Sequence, residues 1–214
     1  MLYERLKPAI DKILAFHIKN APGVIMGVYM VDYAYELIDS IYPNRDSYTL
    51  NALCETRVCL IDSIQVMTGC TVGNKYLRLD ALDIGRYALI LYNRDTGCGF
   101  RVYMDINKID KDKYPQLYAF FNKSRDYKSA SRKKLSQDTI NEFYLAERSV
   151  LSYQKVKVNL PAKDDIVAAA ICASCGESFL VSTDTALDKP LCSYCSRLAR
   201  GQFVPFTVTE RCDA

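Results

Sequence analysis

Cys172 and Cys175, followed after a gap of sixteen residues by Cys192 and Cys195, narrow what the C-terminal part of this chain can fold into. The segments read ICASCGESF and PLCSYCSRL. Each CxxC turn sets two thiolates side by side, and two such turns facing one another supply four sulfurs at tetrahedral corners. That is the donor set of a closed structural zinc site, one Zn2+ per chain. Iron in the same place, two disulfides or a redox dithiol are the alternatives. A closed four-sulfur site has no open coordination position, so it supports folding and leaves the chemistry to other residues. A module of about fifty residues buries little apolar surface, and its folding free energy is expected to come largely from the metal.

The whole chain has 214 residues, half of them hydrophobic, enough for one core of ordinary size beside that small module. Its formal charge of +3 is mild and does not by itself call for a nucleic-acid partner. Nine cysteines, four in metal spacing and five scattered, fit a reducing cytoplasm better than an oxidising compartment. The start, MLYERLKPAIDKIL, carries charges through its apolar stretch and does not read as a signal peptide. The apolar run from Val24 to Tyr42 is interrupted by Asp32, Glu36 and Asp39, which argues against a membrane span.

Periodicity predicts a first amphipathic helix through Leu2, Leu6, Ile10, Ile13 and Leu14, ending near His17. Pro22-Gly23 opens a second, with Val24, Val28, Val31, Tyr35 and Ile38 as its buried stripe and Tyr42-Pro43 as its stop. Gly23 and Gly27 lie four apart and allow that face a close approach to another backbone or a ligand. A strand is expected over 50–58 and a short helix from Cys59 to Thr68, closed by Gly69 in a left-handed cap. A hairpin follows around Asn93–Gly97, then helices over 114–122 and 137–151 and a strand over 153–160. Residues 161–165 read as a linker, with further short strands near 179–181 and 203–208. The expected architecture is α+β: a mixed helix and sheet core over 1–160 and a small C-terminal zinc ribbon or treble-clef module over 161–214.

The stretch ETRVCLIDSIQVMTGCTVGN, Glu55 to Asn74, is the richest in functional residue types. Cys59, Asp62 and Gln65 recur at i, i+3 and i+6, near one helix face. A thiol at a helix N-terminus is expected to be acidified by the helix dipole, and Cys59 is placed for this. His17 is the only histidine, and acid/base work at neutral pH falls most naturally to it. Bland readings compete: a lone cysteine beside apolar residues is commonly a small core residue, Asp62 and Gln65 can cap or face water, and His17 can cap a helix. Lys123, Arg125, Lys128, Arg132, Lys133 and Lys134, against the single acid Asp126, read as a solvated connector, with phosphate contact as the alternative. No phosphate-binding glycine loop, dinucleotide fingerprint or iron–sulfur cysteine run is present.

These residues resemble the family of the E component of formylmethanofuran dehydrogenase. Its first motif runs approximately FHGHxCPGxxxG, and its second approximately E-x3-C-x2-D-x2-Q-x3-GCTxGxxN. The first reads here Phe16-His17-Ile18-Lys19-Asn20-Ala21-Pro22-Gly23, with Gly27 four residues on. The second is kept as Glu55, Cys59, Asp62, Gln65, Gly69, Cys70, Thr71 and Gly73, with Asn74 following directly and without the two-residue spacer. Lys19 stands where the family has its second histidine, and Ala21 where it has its motif cysteine. A C-terminal four-cysteine module also belongs to the resemblance.

The resemblance implies an accessory or stand-alone relative of a one-carbon oxidoreductase component, forming a homodimer and able to associate with a larger complex. It implies a metal or small-ligand pocket in the core, from His17, Lys19, Gly23, Cys59, Gln65, Cys70, Thr71 and Asn74. His17, Cys59 and Cys70 could still converge on a second metal, although an ammonium at position 19 opposes a cation. An anion suits Lys19 and the helix N-terminus at Gly23 better. Two further readings stand beside this one. One is a metal-dependent enzyme with His17 and Cys59 as ligands or acid/base groups and Asp62 as orienter; the other is a zinc-module regulator that binds nucleic acid.

Overall fold

The computed structural model describes residues 2–43, 49–79, 81–128, 130–159, 167–182 and 189–204. The chain divides into two compact units, Met1–Leu160 and Pro161–Ala214. In the first, helices α1 (Leu2–His17) and α2 (Pro22–Ile41) lead into strand β1 (Leu50–Cys54) and helix α3 (Leu60–Thr68). Strands β2 (Leu77–Arg78), β3 (Ala88–Asn93) and β4 (Cys98–Met104) follow, then helices α4 (Pro115–Phe121) and α5 (Arg132–Ala146) and strand β5 (Leu151–Lys157). The five strands form one mixed sheet in the order β2-β1-β3-β4-β5. Only the β1–β2 pair is parallel; Leu53 faces Ile90, Leu91 faces Phe100, and Val102 faces Tyr153 across the antiparallel ladders.

Helix α2 organises this unit, and it is buried more completely than a single apolar stripe requires. Every residue from Pro22 to Asp32 is buried, together with Ala34 and Ile38. Met30, Val31, Ala34 and Ile38 pack on Leu50, Ala52, Leu89, Leu91, Phe100 and Val102 of the sheet. Val24, Ile25, Met26, Val28 and Tyr29 pack on Leu6, Ile10 and Ile13 of α1 and on Ile140 and Phe143 of α5. A helix that is apolar on all sides lies between two layers, so the expected stripe was one of two faces in use. Asp32, on this buried helix, is held by Arg5 of α1 at 2.6 Å and by Arg148 beyond α5.

Local signals placed most ends. Pro22 occupies the first turn of α2, and Tyr42 closes it by donating its N–H to the Ile38 carbonyl. Gly69 caps α3 at φ 72°, in the left-handed conformation a glycine adopts without steric penalty. The Asn93 side chain accepts the Asp95 and Thr96 N–H groups and shapes the β3–β4 turn.

Several boundaries differ from the sequence reading; strand β5, expected over 153–160, runs over Leu151–Lys157. The strand expected over 50–58 stops at Cys54, where the chain bends and Glu55 enters an ion cluster. Helix α5 begins at Arg132 and ends at Ala146, about a turn earlier at each end than expected. Ser131 starts it by accepting the Lys134 N–H, and the backbone of Glu147 at φ 45° stops it. Arg132, Lys133 and Lys134 therefore form its first turn. Arg125, from the same basic stretch, stacks over Phe120 and donates to Thr139 Oγ1 at 2.5 Å.

In the second unit, β6 (Val167–Ile171) and β7 (Ser178–Ser182) pair as an antiparallel hairpin, and helix α6 (Ser193–Ala199) follows. One cysteine pair sits in the hairpin turn and the other at the start of α6. A knuckle paired with a helix start is consistent with the small zinc module expected here. The linker over 161–165 lies outside the described residues, as does most of the strand expected near 203–208; Phe203 and Val204 are not in a strand.

Candidate functional site

The four cysteine sulfurs of the second unit converge. Sγ atoms of Cys172, Cys175, Cys192 and Cys195 all lie within 4.8 Å of one another. A tetrahedral tetrathiolate with zinc–sulfur bonds of about 2.3 Å needs sulfurs about 3.8 Å apart, so a small contraction closes the site. The surrounding backbone suits thiolate: the Cys192 N–H donates to Cys172 Sγ at 3.3 Å, and the Cys195 N–H to Cys192 Sγ at 3.5 Å. Backbone N–H donation from Cys175 and Cys192 brings the Cys172 thiol down to about 6. None of the described cysteines is in a disulfide, and the donor set fits a metal ion. The purified chain is expected to carry about one metal equivalent, and the Cys172→Ser/Cys175→Ser variant none. Elemental analysis checks this; about one equivalent retained by the variant would place a metal elsewhere in the chain.

In the first unit, the second motif block divides between the two ends of α3. At its C-terminal end, polar side chains tie a turn. Asn74 Oδ1 accepts the N–H groups of Thr71 at 2.9 Å and Tyr76 at 3.0 Å, while Asn74 Nδ2 donates to the Gly69 carbonyl at 2.7 Å. Thr71 Oγ1 accepts the Asn74 N–H, and Gln65 Oε1 accepts the Val72 N–H. This lock leads Tyr76 and Leu77 into the sheet beside Ala52. Cys70 is buried in the core, with its Sγ near the Leu50 carbonyl, and burial raises its thiol pKa. Gln65, Cys70, Thr71 and Asn74 thus build the fold at one end of a nine-residue helix, roughly 13 Å long.

The other end of α3 is where the first motif arrives. His17 ends α1, and its Nδ1 lies 2.6 Å from Asp62 Oδ2 in the first turn of α3. An ionised carboxylate only accepts, so Nδ1 carries the proton and Nε2 is left to accept one or to ligate. Gly23 opens α2 directly against Cys59; a Cβ on Gly23 would lie 3.1 Å from Cys59 Cβ and 3.0 Å from Tyr87 Oη. Tyr87 Oη donates to the Gly23 carbonyl. Gly23, Thr56, Val58, Cys59, Tyr87 and Phe121 surround a cavity of about 300 Å3, to which Gly85, Phe120 and Lys123 also contribute.

Two expectations are corrected here. Cys59 was expected to be acidified at its helix start, but burial pushes its thiol up and the nearby Asp62 carboxylate adds to this. The dipole of so short a helix does not overcome desolvation. Lys19 is exposed and does not line the cavity, so the positive charge there belongs to Lys123. Among the described residues, no other group of three or more His, Cys, Asp or Glu side chains joins the four-cysteine cluster as a candidate metal site.

Ile18 takes φ 67° with 88 % of its surface exposed. Its position is the one at which the resembled motif carries glycine, and a β-branched residue is strained there by about 1–2 kcal/mol. The chain turns from α1 toward α2 through this left-handed residue even with a β-branched side chain there. Sequence reasoning missed Tyr87, Phe121 and Lys123, which come from distant segments. It also missed the buried partner of Glu55. Arg101 Nε and Nη2 donate to Glu55 at 2.7 and 2.9 Å, and Arg86 Nε adds a third bond at 2.8 Å.

An α+β core with a cavity walled by Gly23 and Cys59 and a His17–Asp62 pair outside its lining, followed in sequence by a four-cysteine module, defines a small two-unit metal-binding class. Residues 16–154 match the family described as FmdE, molybdenum formylmethanofuran dehydrogenase operon, and the chain belongs to that family. A crystal structure of a tungsten formylmethanofuran dehydrogenase FmdE-like protein from Syntrophus aciditrophicus is similar at a TM-score of 0.66 and 30% identity, covering 94% of each chain. A probable S-adenosyl-L-methionine-binding protein of Archaeoglobus fulgidus is 29% identical over 189 residues, which is 85% of this chain. The chain spans about half the length of that curated relative (50%). Among the described residues no helix is long and apolar enough to cross a membrane.

Proposed function

We propose that this protein is an accessory or stand-alone FmdE relative that binds a small ligand in its core. The observation that carries this reading is the cavity of about 300 Å3 at the meeting of the two family motifs, with Cys59 and Gly23 in its wall. In the second unit Cys172, Cys175, Cys192 and Cys195 hold zinc, whose role there is to stabilise the fold. The module offers the metal four thiolates and leaves no position for a substrate.

The cavity walls favour a flat or weakly solvated group. Tyr87 and Phe121 meet edge to face at 5.5 Å, and Phe120 continues the aromatic wall. Such faces accept the apolar surface of a flat ring, while the Lys123 ammonium in the lining suits a carboxylate on the same ligand. The S-adenosyl-L-methionine-binding description of the Archaeoglobus relative makes that molecule the first ligand to try. Calorimetric titration is expected to show saturable binding that weakens about tenfold or more when Gly23→Val fills the wall beside Cys59. Binding of equal strength to both proteins would exclude this cavity as its site.

A metal-dependent enzyme is the second reading, favoured by the His17–Asp62 bond, which is the arrangement that orients an imidazole for ligation or proton transfer. The metal count on the Cys172→Ser/Cys175→Ser variant separates the two, because this reading requires metal to remain. Homodimerisation and docking to a larger oxidoreductase complex belong to the same proposal and rest on the family membership.

A further inference from the structure

A second hollow shares Tyr87 and Phe121 with the Cys59 cavity. It measures about 260 Å3 and is lined by Arg86, Tyr87, Arg101, Tyr103, Met104, Ile106 and Phe121. Two guanidinium groups therefore share a small cavity whose remaining walls are aromatic or aliphatic, and no carboxylate is among the described residues that line it. Among the described residues, the anion bonded to both arginines is Glu55, whose side chain is 2 % exposed.

The charges do not cancel. Glu55 is fully engaged: Oε1 accepts from Arg101 Nε, and Oε2 accepts from Arg101 Nη2 and Arg86 Nε. Arg101 uses its remaining terminal nitrogen on Gln154 Oε1 at 3.1 Å and lies over the Tyr103 ring at 4.6 Å. Its side chain is 10 % exposed, so it is fixed on every side. Among the described residues, Arg86 is bound through Nε alone. Its side chain is 60 % exposed, and among the described residues nothing accepts from its two terminal nitrogens. Two positive groups against one negative leave a single net positive charge, presented by a guanidinium held in orientation at its inner edge.

We propose that this second cavity binds a small monocarboxylate, its carboxylate on the free edge of Arg86 and its apolar body against Tyr103, Met104 and Phe121. A guanidinium offers two parallel donors matched to a carboxylate, and holding it by Nε lowers the entropy lost on binding. One net charge favours a monoanion, since a doubly charged phosphate would keep an uncompensated charge in a partly apolar hollow. This site does not depend on the ligand proposed for the Cys59 cavity.

Benzoate is the probe, with benzyl alcohol as its neutral counterpart, titrated into the full-length chain and followed by NMR of the arginine Nε–Hε resonances. Benzoate is expected to bind in the low-millimolar range, about tenfold or more tighter than the alcohol. Arg86→Gln should remove that preference, Arg86→Lys should restore part of it, and Lys133→Gln, which deletes one exposed surface cation, should leave it intact. Arg86 is mostly exposed and Arg101 still pairs with Glu55, so these variants are expected to fold. Equal affinity for the two probes, no saturable benzoate binding, or an undiminished preference in Arg86→Gln would each overturn the proposal.

Discussion

Replacing Glu55 by Gln is expected to lower the stability of the first unit by about 3 kcal/mol or more. The reason is what it leaves behind. Arg101 is buried between Tyr103, Gln154 and the carboxylate, and a neutral amide cannot compensate its charge. Breaking a buried ion pair on one side typically costs about 3–5 kcal/mol, because the surviving charge is desolvated without a partner. Urea unfolding of the full-length chain, followed by tyrosine near-ultraviolet dichroism, measures the loss. Adding Arg101→Met to Glu55→Gln should recover much of it, since the orphaned charge is then gone. A Glu55→Gln midpoint close to the wild-type value would show that the cluster is solvated in solution.

The same cluster sets a pH dependence. Burial alone would raise the Glu55 pKa, but the Arg101 hydrogen bonds and charge, together with Arg86, outweigh it and hold the carboxyl below its ordinary value of 4.5. With a lowered folded-state pKa, the stabilisation is fully present above about 4.5 and is lost as pH falls through the folded value. The acid limb of the wild-type stability curve should therefore flatten in Glu55→Gln.

Gly27→Ala is expected to be the next most damaging small change, at about 3 kcal/mol. Alanine has the better helix propensity by about 1 kcal/mol, so an unpacked helix would gain from it. Here α2 crosses α3 with no room. The new Cβ would stand 2.3 Å from Ser63 Oγ and 2.6 Å from Ser63 Cβ, with Leu60 Cδ1 at 3.2 Å. Ser63 is buried, and its hydroxyl donates to the Val24 carbonyl at 3.0 Å, so turning it aside breaks a bond in the core. Ser63→Gly in the Gly27→Ala background should restore most of the loss. A neutral or stabilising Gly27→Ala would mean that the two helices can separate freely.

Much of the core unit could be read from local pattern because the relevant forces are local. Pro22, Gly69 and the Asn93–Gly97 turn act through backbone conformation within a few residues, and the structure keeps all three. The start of α5 was missed, because the run of charge after Ser131 hid the capping signal that its bond to the Lys134 N–H reveals. The two family motifs were visible as well, yet their roles were not. The second block looks like one functional face because Cys59, Asp62, Gln65 and Cys70 share a short stretch. A rigid helix separates its ends, so Cys59 reaches the cavity and Asp62 meets His17, while Gln65, Cys70, Thr71 and Asn74 hold a turn together.

By itself the sequence determined the α+β class, the family and the four-cysteine module, because motif spacing and hydrophobic period survive without coordinates. Only the tertiary structure decided which side chains meet. Glu55 finds Arg101 46 residues away, and Tyr87 crosses 64 residues to reach the Gly23 carbonyl. It also decided the surroundings of Cys59, whose position promised an acidic thiol and whose burial pushes its pKa up instead. Position along a helix is written in the order of residues, whereas desolvation depends on everything that packs around the group.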